Sequence, residues 1–129
     1  MQSAASMFDH VQIKVADLAS SRAFYEKVLA TLEYGVVLES DGAVGFGNDP
    51  HDMFELSQAS ENAPLSRSTH VAFVAKNEQA VREFHRTALA QGARDNGAPG
   101  LRPQYEDGYF AAFVVDPNGH NLEAVYKTR

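Results

Sequence analysis

The chain has 129 residues, of which 44% are hydrophobic and 22% are charged, a composition typical of one soluble globular domain. No basic stripe interrupts its net charge of −6, which argues against nucleic-acid binding, and the absence of cysteine excludes disulfides, thiolate metal ligands and a catalytic thiol. No apolar run approaches the roughly 20 residues of a membrane helix, and residues 1–10 lack the features of a secretion signal. We therefore expect a cytoplasmic protein that does not bind membranes.

A segment near the start of the chain returns sixty residues later. HVQIKVADLASSRAFYEKVLA, which begins at His10, matches HVAFVAKNEQAVREFHRTALA, which begins at His70, without a gap. A second pair of similar segments closes the two copies and ends near Glu55 in the first and Glu123 in the second. Internal repeats usually form units that complete each other's core. Because there are only two copies, we predict one pseudo-symmetric domain.

The first copy predicts a βαβββ unit, module 1, over about residues 7–58. Apolar residues alternate from Phe8 to Val15, which is typical of a half-buried strand. Asp17 is a suitable N-cap, and apolar residues then recur at helical spacing to about Glu33. Three further strands are predicted, the first two joined by an Asp-Gly turn, at 34–39, 43–46 and 53–57.

The second copy predicts the same unit, module 2, over about residues 69–127, after a linker at about 59–68 that is rich in Ser, Ala, Asn and Pro. Its helix follows Asn77, a suitable N-cap, and ends at Gly92. Residues 93–106 are rich in Gly and Pro and predict a long loop, often a functional feature, with a strand inside it as the alternative. The other strands are predicted at 69–75, 108–115 and 120–126.

Strand parity places His10, Glu55, His70 and Glu123 on the same side of the predicted sheet. In each strand the apolar residues that match between the copies point toward the helices, so these four point away. Two imidazoles and two carboxylates suit a divalent ion such as zinc, nickel, cobalt or manganese. One histidine or glutamate on a strand is more often an ordinary polar residue, but a set that recurs at matching positions of two repeats favours a metal site.

Other residues are candidate contacts for a small-molecule substrate on that side. Gln12 lies on the same face as His10, and Arg102, Tyr105 and Tyr109 border the long loop, although tyrosines on strands more often only pack. The remaining histidines carry less weight, because they are predicted in turns or on the second helix, where surface or boundary packing is expected: His51, His85 and His120.

Together these segments resemble the vicinal oxygen chelate superfamily, which contains glyoxalase I, bleomycin resistance proteins and extradiol dioxygenases. The resemblance covers Phe8 to Tyr126 and rests on FDHVQIKVADLASSRAFYEKVL, STHVAFVA and DPNGHNLEAVY. It implies an α+β fold in which two βαβββ modules form a cupped eight-stranded mixed sheet, and usually a homodimer. In glyoxalase I the metal ligands lie at the positions occupied here by His10, Glu55, His70 and Glu123.

The resemblance also implies a reaction. A divalent ion (zinc, nickel, cobalt, manganese or iron) binds vicinal oxygens of a small substrate and acts as a Lewis acid that stabilises a developing enediolate. Glu123 or Glu55 would take a proton from the carbon next to the carbonyl. Retention of both carboxylates favours glyoxalase-like lyase or isomerase chemistry over dioxygenase or thiol-transferase chemistry. The alternatives are a metal-free binding protein of the bleomycin-resistance type, a dioxygenase or thiol-transferase relative, or a relative that keeps the fold without activity.

Overall fold

The structure, a computed structural model that describes residues 7–128, contains two βαβββ modules. Module 1 comprises β1 (His10–Val15), α1 (Leu18–Ala30), β2 (Gly35–Ser40), β3 (Ala43–Asp49) and β4 (Asp52–Gln58). Module 2 comprises β5 (His70–Val74), α2 (Glu78–Ala90), β6 (Arg94–Leu101), β7 (Tyr109–Val115) and β8 (Asn121–Lys127). The predicted α+β fold is confirmed. None of the helices in this part of the chain is long and apolar enough to cross a membrane.

Each module forms its own four-stranded mixed sheet. Sheet 1 has the strand order β1-β4-β3-β2 and sheet 2 the order β5-β8-β7-β6, with β1 parallel to β4 and β5 parallel to β8. Within residues 7–128 β1 and β5 are each an edge strand of their own sheet, and no hydrogen-bonded ladder joins them. The eight strands predicted as one sheet therefore form two separate halves in this chain.

One hydrophobic core joins the modules. Helix α1 packs on β2, β3 and β4, helix α2 packs on β6, β7 and β8, and the two helices contact each other. Phe54 of β4 meets Phe73 of β5 edge to face, with ring centroids 5.3 Å apart. Both modules contribute large buried side chains, among them Tyr25, Leu29, Phe46, Phe84 and Leu122. The two modules consequently stabilise each other through a shared interior.

The helix ends follow local capping chemistry. Asn77 precedes α2 and its side chain accepts the N–H of Ala80 at 2.8 Å, as expected of an N-cap. Asp17 occupies the same position before α1 but makes no capping hydrogen bond with its side chain. Helix α1 ends at Ala30 rather than near Glu33, and residues 31–33 form a turn.

A buried hydrogen-bond network joins α1 to the turn before β8. Tyr25 donates to one carboxylate oxygen of Asp116, whose other oxygen accepts the backbone N–H groups of Asn118 and His120 at 2.9 and 2.8 Å. Burial, reinforced by the Asp116 charge, raises the pKa of Tyr25 well above its ordinary value. The His120 ring is fully buried, and its Nδ1 accepts the N–H of Thr69 at 3.1 Å. The surface or boundary role predicted for His120 is therefore wrong, because its ring is drawn inward to accept this backbone donor.

Most of the segment predicted as a long loop is strand β6. Its ladder with β7 shifts register between Asp95 and Gly97 and again between Gly97 and Gly100, a pattern typical of β-bulges. Pro99 is tolerated because β6 is an edge strand, and the backbone groups along its outer edge have no neighbouring strand to pair with. The connection to β7 is consequently short and contains residues 102–108.

Candidate functional site

The four predicted ligands lie on the sheet faces turned away from the helices, two on each sheet. Phe54 and Leu56 flank Glu55 in β4 and belong to the core, so Glu55 points to the other face. Glu123 has the same relation to its core neighbours in β8. The histidines His10 and His70 open the strands that pair with β4 and β8. The face predicted by strand parity is therefore the face observed for both glutamates.

On sheet 2, His70, Tyr109 and Glu123 form a hydrogen-bonded cluster, here called the sheet 2 half-site. His70 Nε2 lies 2.8 Å from Glu123 Oε1, and the Tyr109 hydroxyl donates to the other carboxylate oxygen. Glu123 is only 2% exposed, whereas the His70 side chain is 53% exposed. Burial, and then the hydrogen bond to Glu123, raises the pKa of Tyr109, so this phenol keeps its proton at neutral pH and acts as a donor.

Aromatic and apolar side chains surround the sheet 2 half-site. Phe113 lies directly opposite Glu123 in the ladder between β7 and β8, with its ring centroid 6.2 Å from that of His70. Tyr105 meets Tyr109 edge to face at 5.3 Å. A small cluster on this face contains Ala111, Phe113, Val125 and Tyr109. Sequence analysis did not single out Phe113, although pairing β7 with β8 would have placed it beside Glu123.

Arg102 follows β6 and lies beside Phe113 of this cluster. Its guanidinium carbon is 5.4 Å from the centre of the Phe113 ring. Its two terminal nitrogens donate to the carbonyls of Gly100 and Ala98, each at 2.8 Å. The sequence-predicted substrate contacts Arg102, Tyr105 and Tyr109 thus lie on one side of the molecule, around sheet 2, and their role remains a prediction.

On sheet 1, Glu55 pairs with Gln12, and these two residues together with His10 are called the sheet 1 half-site. Gln12 Nε2 donates to Glu55 Oε1 at 2.7 Å, and the two residues face each other in the ladder between β1 and β4. Glu55 is 7% exposed. His10 turns instead to Asp9, with 2.7 Å between His10 Nδ1 and Asp9 Oδ1, and this hydrogen bond raises the pKa of His10.

Neither half-site alone is a complete metal site. No group of three or more His, Asp or Glu side chains within residues 7–128 is arranged to hold a metal ion. Catalytic zinc sites usually have three protein ligands, whereas each half-site offers one imidazole and one carboxylate. The donor types suit a divalent ion, and a buried carboxylate normally requires a cation or a metal. Among the described residues neither Glu55 nor Glu123 forms an ion pair with Lys or Arg; Glu55 is bound by Gln12, and Glu123 by His70 and Tyr109. The two half-sites together would supply four ligands of types that suit a divalent ion.

Solved structures share this fold over nearly its whole length. A glyoxalase/bleomycin resistance protein from Albidiferax ferrireducens T118 is 26% identical, with a TM-score of 0.84 over 95% of this chain and 100% of that chain. A glyoxalase/bleomycin resistance protein/dioxygenase family enzyme from Burkholderia phytofirmans PsJN is 16% identical, with a TM-score of 0.72 over 93% and 98% of the two chains. A glyoxalase-related enzyme from Fulvimarina pelagi is 17% identical, with a TM-score of 0.70 over 98% and 89%.

The sequence itself identifies the family. A comparison with curated proteins finds no match. The sequence profile of one superfamily, however, matches residues 7–124, which include module 1, nearly all of module 2 and all four predicted ligands. The chain therefore belongs to the Glyoxalase/Bleomycin resistance protein/Dioxygenase superfamily.

Proposed function

We propose that this protein is a metal-dependent enzyme of the glyoxalase type whose active site is completed by a second copy of the chain. The observation that carries the proposal is the pair of buried carboxylates, Glu55 and Glu123, at matching positions of the repeat. Neither has a lysine or arginine partner in the part of the chain that the structure describes. A divalent ion held by His10, Glu55, His70 and Glu123 would neutralise both carboxylates.

A second copy of the chain would complete each site, because the half-sites lie on separate sheets of one chain. In a homodimer with two-fold symmetry, sheet 1 of one subunit would adjoin sheet 2 of its partner, and the contact would occur twice. Each dimer would then contain two complete sites. Exposed apolar side chains on the two edge strands support such a contact, since Val11 of β1 is 40% exposed and Val74 of β5 is 67% exposed.

The residues of sheet 2 are suited to proton transfer. When bound, the ion would supply Lewis-acid polarisation of a substrate oxygen. Glu123 is held by hydrogen bonds on both carboxylate oxygens, from His70 and from Tyr109, which fix its orientation. The apolar wall around Phe113 limits water and keeps a carboxylate base reactive. Glu123 would accept a proton from the carbon next to a substrate carbonyl and return it to the neighbouring carbon, which isomerises a small molecule with vicinal oxygens.

Metal content and subunit mixing test this proposal together. Glu55→Gln and Glu123→Gln should each greatly reduce the metal content measured by elemental analysis, because each removes an ionic ligand from every site. After the two variants are unfolded and refolded as an equal mixture, mixed dimers should contain one intact site. Random pairing then restores metal to roughly one site in four.

The matched control is Glu61→Gln, which makes the same charge change at an exposed linker position and should leave the metal content unchanged. Full metal content in Glu123→Gln would refute the ligand assignment. Loss of metal in both variants without recovery in the mixture would place each site within one chain.

The apolar cluster around Phe113 favours a second function, that of a metal-free protein which binds a planar hydrophobic compound on the sheet 2 face. This cluster, with exposed Val74 and Ala72 nearby on β5, offers aromatic and aliphatic contact area. A protein that takes up no nickel, zinc, manganese or iron on soaking, yet is thermally stabilised by aromatic compounds, would have this function.

A further inference from the structure

We propose that the ligand of the sheet 2 half-site carries an oxyanion group, a carboxylate or a phosphonate, which Arg102 binds. This inference deepens the proposed function and rests on it for the location of the ligand. Four features of Arg102 carry it: how the guanidinium is held, what shapes its surroundings, which donors remain unused and where it lies relative to Glu123.

The guanidinium is held in place by neutral groups. Nη1 donates to the Gly100 carbonyl and Nη2 to the Ala98 carbonyl, each at 2.8 Å. The guanidinium carbon lies 5.4 Å from the centre of the Phe113 ring. The residue is half-buried. An arginine fixed in this way loses little side-chain entropy when an anion binds, which favours recognition.

Two glycines of β6 make room for the guanidinium. A Cβ atom at Gly97 would lie 3.1 Å from Arg102 Nη2 and 3.0 Å from Phe113 Cδ1. A Cβ atom at Gly100 would lie 3.3 Å from Arg102 Nη1. Gly97 also has a φ of +155°, a backbone conformation that other residues rarely adopt. The bulged strand that resembled a loop in sequence therefore forms a cradle for the Arg102 side chain.

Among the described residues the charge of Arg102 has no carboxylate partner. Of the five N–H donors of a guanidinium, two bind the carbonyls and three remain. Within residues 7–128 no carboxylate pairs with Arg102, whereas Arg22 binds Glu39 at 2.6 Å and Arg86 binds Glu83. The sequence contains 17 acidic residues against 11 basic ones, so an arginine without a carboxylate is available to an anion from outside.

Phe113 lies between Arg102 and the pair of His70 and Glu123 in the sense that its ring neighbours both. The same ring lies 5.4 Å from the guanidinium carbon, 6.2 Å from the His70 ring centroid and opposite Glu123 in the ladder. The guanidinium of Arg102 and the pair of His70 and Glu123 thus border the same aromatic ring. One small molecule with an acid group at one end and vicinal oxygens at the other would contact both.

Paired probes test the inference. 3,4-Dihydroxybenzoate and 3,4-dihydroxybenzamide both carry vicinal oxygens on a ring, but only the benzoate has an acid group at the other end, and 3,4-dihydroxyphenylphosphonate tests the phosphonate group. Binding is measured by calorimetric titration to wild type, Arg102→Gln and Arg102→Lys. Arg94→Gln is the matched control, because it makes the same charge change at an exposed position of β6, the strand that Arg102 follows. Circular dichroism of each variant reports whether the fold is intact.

At least one anionic probe should bind wild type more tightly than the benzamide does, and Arg102→Gln should weaken binding of that probe roughly tenfold or more. The affinity of Arg102→Lys should fall between those of wild type and Arg102→Gln, while benzamide binding and the Arg94→Gln control stay unchanged. Whichever anion binds more tightly identifies the oxyanion as carboxylate or phosphonate. Equal anion affinity in wild type and Arg102→Gln, or no preference for either anion in wild type, would overturn the inference.

Elemental analysis of the same samples separates this inference from the proposed function. Metal-free wild type that still shows anion binding through Arg102 would defeat the metal-dependent function alone. Metal-loaded wild type whose anion binding ignores Arg102 would defeat the oxyanion inference alone.

Discussion

Sheets 1 and 2 hold a buried glutamate at the same ladder position and surround it differently. Glu55 and Glu123 lie on the fourth strand of their modules, on the same face, and each has a core residue on either side. The residues that face them across the ladders are Gln12 and Gly45 in sheet 1 and Ala72 and Phe113 in sheet 2. The two repeats therefore keep the carboxylate and change its neighbours.

The residue opposite the glutamate decides whether the histidine reaches it. In sheet 1, Gln12 is long enough to donate to Glu55, and His10 turns to Asp9. In sheet 2, Ala72 offers no such donor, and His70, two residues earlier on the same strand, reaches Glu123. The two sheets thus differ in the partner of the glutamate, which is Gln12 in sheet 1 and His70 in sheet 2.

The largest expected effect follows from removing the aromatic cover of Glu123. Phe113 is 8% exposed, so Phe113→Ala should lower the free energy of unfolding by about 3–5 kcal/mol, measured by urea denaturation. Gly45→Ala is the matched change in sheet 1. Its Cβ would lie 2.5 Å from the flexible Met53 Sδ, which can move, so the expected loss is about 1–2 kcal/mol. Equal losses of unfolding free energy in Phe113→Ala and Gly45→Ala would contradict the greater contribution expected of the aromatic cover in sheet 2.

A smaller effect should come from the donor that only sheet 2 provides. Tyr109→Phe removes a hydrogen bond to buried Glu123 and should lower the free energy of unfolding by about 1–3 kcal/mol at neutral pH. Because the folded-state pKa of Tyr109 is raised, its stabilising contribution is complete below the ordinary tyrosine pKa of about 10. Above that pH the unfolded chain loses this proton first, so stability falls as pH rises.

Urea midpoints of wild type and Tyr109→Phe, compared at about pH 8 and about pH 10.5, measure this contribution. The difference between the two proteins should shrink at the higher pH. Tyr25, whose pKa is also raised, is present in both and cancels in the difference. Tyr105→Phe is the control, because Tyr105 is 59% exposed and should affect neither midpoint. A difference that grows with pH would contradict the assignment.

The smallest expected loss of stability comes from Gln12→Ala, which gives Glu55 an alanine as its ladder neighbour, as Glu123 has in Ala72. Gln12→Ala removes the donor of Glu55 and should lower the free energy of unfolding by about 1 kcal/mol, less if His10 replaces it. Nitrogen-15 NMR of the imidazoles should show the His10 ring leaving Asp9 and acquiring shifts closer to those of His70. Lys14→Ala, on the same strand face, should leave the His10 ring unchanged. Unaltered His10 shifts in Gln12→Ala would mean that Asp9 alone holds the ring.

Strand parity predicted the face of both glutamates but not their partners. Side-chain alternation is a local property of a strand, so Glu55 and Glu123 were assigned correctly from their flanking apolar residues. The choice between Gln12 and His10 depends on the register between β1 and β4, which are far apart in sequence. A pattern of residue types could therefore suggest four ligands without showing that one chain separates them into pairs.

Two other differences arose where tertiary contacts override composition. Gly97, Pro99 and Gly100 are typical of a loop, yet bulges and an edge position accommodate all three in β6. His120 follows a turn sequence, which predicted exposure, but the backbone N–H of Thr69 provides a buried partner for its ring. Neither the neighbouring strand nor that donor is visible in the local sequence.

The hydrogen bond between Tyr25 and Asp116 makes the halves of the chain unequal. In the repeat Tyr25 corresponds to His85 and Asp116 to Asp49, but His85 pairs with Asp95 and Asp49 is exposed. A half-length ancestor that paired with itself would have made such a contact twice, because symmetry repeats every interaction. The present chain makes it once. The two halves of the chain are thus complementary in this contact, and neither half alone contains both partners.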